Sequence, residues 1–180
     1  MRRTALTNLK LLYVTVRTLH LPNLSLIAAV VSCLIQAGAQ LFAIVIVVGT
    51  VTQAPPRSLA MLSGDYRYDS GPFWNVVPMV SAVLLLLALA TNWKTPRRRL
   101  LIGAVIAFVV AGLFAAFVMG PVQAEVVSTG YSDAVDEGLR ARAAWWHTLD
   151  WISWALVLVV GLLVSVALAM PIRLDSHERQ

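Results

Sequence analysis

The chain has 180 residues, of which 59% are hydrophobic and 13% charged, and its formal net charge is +5. Soluble globular domains carry roughly 45–50% apolar and about 25% charged residues, so most soluble folds are excluded and lipid is the expected solvent. The positive charge does not point to nucleic acid, because the basic residues stand beside apolar segments and form no patch interleaved with aromatics.

Residues 1–23 read as an interfacial amphipathic helix on the cytoplasmic leaflet. Arg3, Lys10 and Arg17 recur on one side of a helical wheel, and Leu6, Leu9, Leu12, Tyr13, Val16 and Leu19 occupy the other. A simple membrane anchor accounts for the arm without a docking partner. Pro22 and Asn23 are expected to end it.

The first span runs from about Leu24 to Val51. Its apolar run is too long for a cleaved signal peptide, so it reads as a retained helix. Cys33 is the only cysteine. It excludes an internal disulfide and the paired thiols of quinone-coupled oxidoreductases, and its apolar neighbours favour a packing role. Gln36 and Gln40 share one helix face, where their amides either bond another helix or line a polar cavity.

A long outer connection, about Thr52 to Pro72, carries Asp65, Tyr66, Arg67, Tyr68 and Asp69; long ordered loops are usually functional. The second span, Phe73 to Thr91, opens on Trp74 and Asn75. After a short inner turn fixed by Pro96, the third span runs from Leu100 to Met119 and closes on Pro121, Gln123 and Glu125. A second outer connection, about Gly120 to Trp145, re-enters helix near Ser132 as N-cap and leads into the fourth span, Trp146 to Met170. Residues 171–180 form a tail. The fold class is therefore all-α integral membrane, a four-transmembrane-helix bundle preceded by an interfacial helix. Ten of the fourteen Lys and Arg residues fall on the side of the termini, which places both termini in the cytoplasm of a multi-pass cell-membrane protein.

The fourth span opens on Trp145, Trp146, His147, Asp150, Trp151 and Trp154. His147, Asp150, Trp151 and Trp154 recur at helical spacing, and an imidazole one turn from a carboxylate is a proton-transfer pair near neutral pH. The structural alternative makes the indoles an aromatic belt and pairs Asp150 with Arg140, Arg142 or another span. Topology brings Gln36, Gln40, Asn75, Gln123, Glu125, His147 and Asp150 to one outer depth, around an expected cavity mouth covered by both long loops. The inner half has almost no buried polarity, which argues against a polar path across the bilayer. A metal site would have to combine His147 with Glu125, Asp150 or a loop aspartate, since His20 and His177 lie at the opposite face. No zinc, haem, iron–sulfur or di-iron spacing is present, so neither metal nor cofactor is expected.

The order of features resembles the anthrone-oxygenase-like four-helix integral membrane family, a domain of unknown function. The matching pieces are the Gln36-to-Gln40 small-residue stretch, Gly71-Pro72-Phe73-Trp74, the basic turn Lys94 to Arg99, Pro121 with an amide at Gln123, and Trp146-His147. Members typically carry Asn where Gln123 stands and Arg near Asp150, so the charge at the latter position is reversed here. The resemblance implies oxidation of a small hydrophobic, often aromatic metabolite by dioxygen in secondary metabolism. On that reading His147, Asp150 and Glu125 are the catalytic candidates. Gln36, Gln40, Trp74, Asn75, Gln123, Trp151 and Trp154 bind substrate, with the glutamines stabilising an anion and the indoles stacking on it. The expected partners are the lipid bilayer, the metabolite and dioxygen, with a homo-oligomer or a membrane partner subunit also open. The competing class is a non-catalytic scaffold or accessory subunit in which the same polar groups bind helices together.

Overall fold

In lipid a chain must satisfy its backbone hydrogen bonds internally, which leaves the helix as the form for single spans. The computed structural model describes the backbone of residues 2–171 and the side chains of 21–171, and all of its long elements are helical. Helix α1 (Arg2–Phe42) continues through a π-helical stretch, Ala43–Val48, into Gly49–Val51. Helix α2 is Gly71–Thr91. Helix α3 (Arg98–Phe114) passes through a second π-helical stretch, Ala115–Met119, into Gly120–Ser128. Helix α4 is Glu137–Ala169. Four stretches are long and apolar enough to cross a membrane: Leu21–Val51, Gly71–Thr91, Arg98–Ser128 and Glu137–Ala169. The amphipathic faces expected of the N-terminal arm, His20, and the tail beyond Pro171 with His177 lie outside the described side chains.

Two expected helix ends are corrected. Pro22 lies inside α1 rather than ending it. A proline inside a helix removes one backbone donor and costs about 3 kcal/mol in water, but in lipid ending the helix there would leave more backbone groups unsatisfied. The Ser25 hydroxyl and the Asn92 amide both donate to the Pro22 carbonyl, at 2.9 and 3.2 Å. Likewise Gly120-Pro121 does not end the third span, because the π turn before it absorbs the proline. The second long connection therefore shrinks to residues 129–136. Its N-cap is Asp136, whose carboxylate accepts from the Leu139 amide at 3.0 Å, and not Ser132.

The helices form an antiparallel ring in which α1 packs on α2 and α4, and α3 packs on the same two helices. At the end bearing the short turn, Leu26, Cys33, Leu85, Leu101, Val160 and Val164 form a dense core interleaved with Ala29, Ala88, Ala104 and Ala167. Small residues allow such close approach: a Cβ at Gly161 would stand 3.3 Å from the Leu34 side chain. Cys33, 1% exposed, is part of this packing. Hydroxyl pairs Ser25–Thr91 (2.7 Å) and Ser32–Ser81 (2.8 Å) join α1 to α2.

Arg97 closes this end. It is 4% exposed and donates to Asn23 Oδ1 at 2.7 Å, to the Met170 carbonyl at 3.0 Å and to the Leu168 carbonyl at 3.3 Å. Its charge thus meets the negative end of the α4 dipole. At the opposite end a 3₁₀ turn, Arg57–Leu62, inserts Leu59 among Val48, Val51, Val126, Trp146 and Leu149. The two connections hold each other, since the Asp136 amide donates to the Pro55 carbonyl at 3.0 Å.

Candidate functional site

Between these packed ends the ring does not close. Only Ala37, Ala111 and Val157 form the middle core, and a cavity of about 800 Å³ occupies the half of the bundle nearer the long loops. Its shape originates in the two π-helical stretches. A π turn holds an extra residue, widens the helix and recurs at functional sites. Ala43, Val47 and Val48 from the first stretch and Ala115 and Met119 from the second all line the cavity. Each stretch ends on a glycine whose N–H reaches back five residues, Gly49 to Ile44 and Gly120 to Ala115. A Cβ would stand 3.3 Å from the first carbonyl and 3.0 Å from the second, so the wide turns favour glycine at their exits.

The polar lining is compact. Gln36, Gln40, Asp150 and Ser153 are each 7% exposed or less. The Gln40 amide donates to Ser153 Oγ at 3.0 Å and lies beside the Asp150 carboxyl. Arg140 pairs with Glu137 and Arg142 with Glu125 at 2.7 Å, so neither neutralises Asp150, which has no cationic partner among the described residues. Gln36 Oε1 and Trp146 Nε1 are buried without a hydrogen-bond partner, and both residues line the cavity. An orphaned buried acceptor or donor costs about 1–3 kcal/mol, which a ligand bearing complementary groups would relieve. Over the mouth lies the loop segment 67–71, with Arg67, Tyr68 and Asp69.

Of the residues singled out from the sequence, Gln36, Gln40, Trp74, Gln123 and Asp150 meet in this cavity. The remaining catalytic and binding candidates, Asn75, Glu125, His147, Trp151 and Trp154, do not line it. Asn75 is exposed, and Glu125 is engaged by Arg142. His147 stacks toward Trp151 with ring centroids 6.4 Å apart, and Trp151 meets Trp154 edge-on at 5.6 Å. Trp154 Nε1 donates to the Ala37 carbonyl at 3.1 Å and so bonds α4 to α1. Helix geometry accounts for the division. At about 100° per residue, Trp146, Asp150, Ser153 and Val157 form one stripe, and His147, Trp151 and Trp154 form the next one round. Trp146, read from the sequence as part of an interfacial belt, is a cavity wall, and its spacing to Asp150 and Ser153 was the available signal.

No group of three His, Cys, Asp or Glu side chains gathers in metal-holding geometry among the described residues. The fold and cavity define a class: an all-helical integral membrane bundle with a pocket between its helices. No family model, curated protein or solved structure matches the chain, so the site is read on its own geometry.

Proposed function

We propose that the protein is a membrane-embedded oxygenase-like enzyme. It takes a small hydrophobic, aromatic metabolite from the bilayer into the cavity, with both termini cytoplasmic and the mouth facing outward. The observation that supports this most is Asp150, a buried carboxylate without a cationic partner among the described residues, set among apolar walls beside an unpartnered indole N–H and amide oxygen.

The chemistry follows from those groups. Asp150 removes one of the two protons of a methylene held between two aromatic rings, which conjugate the resulting carbanion to a carbonyl. The enolate oxygen accepts from Trp146 Nε1, and the glutamine amides hold the remaining polar groups. The carbanion adds to dioxygen, the peroxide anion recovers the proton from Asp150, and loss of water from the hydroperoxide leaves a new carbonyl. Electrons pass from carbon to oxygen with no further reductant. His147 stands outside the cavity lining, so the base role expected of it passes to Asp150.

The test is dioxygen uptake by detergent-purified protein supplied with anthrone-type substrates. Asp150→Asn should lower turnover by about 10²-fold or more, and His147→Ala should retain it; the opposite ranking overturns the assignment. A scaffold or accessory role is favoured by one observation, that Gln40 and Trp154 spend their donors on other helices. Under that reading no substrate is consumed, and Gln40→Leu alters only stability or assembly.

A further inference from the structure

The basic turn between α2 and α3 is not uniform. Arg97 is buried and consumed by Asn23 and the end of α4, whereas Lys94, Arg98 and Arg99 are exposed. No carboxylate among the described residues pairs with these three. They rim a shallow groove of about 770 Å³ whose apolar floor includes Leu100 and Met170. Trp93, 51% exposed, forms one wall, and the Arg98 guanidinium lies over its ring at 5.3 Å, which holds that cation in place. The groove sits where α2 ends, α3 begins and α4 ends, at the boundary between apolar spans and water.

We propose that this groove binds the phosphate headgroup of an anionic glycerophospholipid. Three cations without acidic partners among the described residues supply the charge complementarity. The floor of Leu100 and Met170 selects a lipid over a soluble phosphate, because it receives the glycerol and the first methylenes that such an ion lacks. An exposed tryptophan at this depth is suited to the headgroup layer. Each cation near a membrane surface contributes about fivefold in affinity for anionic lipid, so the three together give roughly 100-fold.

Native mass spectrometry of the full chain in detergent, titrated with phosphatidylglycerol or phosphatidylcholine, tests this. One phosphatidylglycerol should be retained in preference to phosphatidylcholine. Arg98→Gln should weaken it about fivefold, and Lys94→Gln, Arg98→Gln and Arg99→Gln together at least 50-fold. Arg57→Gln, at the other end of the bundle, should change nothing. Equal retention of phosphatidylcholine, an unchanged affinity in the triple variant, or displacement of the lipid by millimolar inorganic phosphate would overturn the proposal. If the triple variant does not fold, the single variants decide by the same fivefold criterion.

Discussion

Asp150 and Arg97 show two ways of burying a charge. Arg97 meets oxygens from two other helices, and losing it leaves the Asn23 amide oxygen and the carbonyls of Leu168 and Met170 unpaired. Arg97→Ala should therefore destabilise the bundle by about 3 kcal/mol, measured as a lower unfolding midpoint. Arg97→Lys should restore little, since an ammonium lacks the planar fork. Asp150 has no cationic partner among the described residues, and a buried charge without one is a local cost. Asp150→Asn keeps the shape and removes the charge, so it should raise the thermal midpoint and, on the proposed oxygenase reading, lower turnover by about 10²-fold or more. A lowered midpoint would mean that the carboxylate is structural. Stability given up at one position and used for function is a common exchange.

Among the elements, the π-helical stretches decide where the cavity lies. Gly120→Ala brings a Cβ to 3.0 Å from the Ala115 carbonyl. It should cost about 1–2 kcal/mol and narrow the cavity, read as a lower midpoint together with weaker ligand binding. Gly38→Ala meets nothing within 4 Å and should instead stabilise α1 by up to about 1 kcal/mol. The opposite signs of two identical substitutions separate a glycine that a wide turn requires from one that merely occupies a helix. Neither π stretch was legible beforehand. Apolar periodicity at this length does not distinguish an α turn from one holding an extra residue, and Gly120-Pro121 carries the same residues as an ordinary helix end. For the same reason the third span reads nine residues short, and the second loop correspondingly long.

For the whole molecule, the ring is tied at both ends and open between them. Arg97, the hydroxyl pairs and the alanine-rich core hold one end; Leu59 and the Asp136–Pro55 bond hold the other. Ligand binding is therefore expected to act locally. Hydrogen exchange should slow in Ala43–Val48, Ala115–Met119 and the 67–71 segment, and stay unchanged around Leu85 and Leu101. Slowing throughout the bundle would point to global closure instead.

Composition and apolar run length were sufficient to establish four helices able to span a membrane, because lipid imposes length and internal hydrogen bonding on any chain that crosses it. Helical spacing was also enough to pair Gln36 with Gln40, since both lie on one element. Which neighbouring stripe of α4 faces the cavity, the one with Asp150 or the one with His147, depended on how that helix is rotated against α1 and α3. So did the division of the basic turn into one inward arginine and three outward cations. Rotation and approach are set by packing between elements distant in sequence, and no periodicity within one element encodes them. The low polar content of the chain thus pointed to a cavity in general terms, and the tertiary structure decided which residues line it.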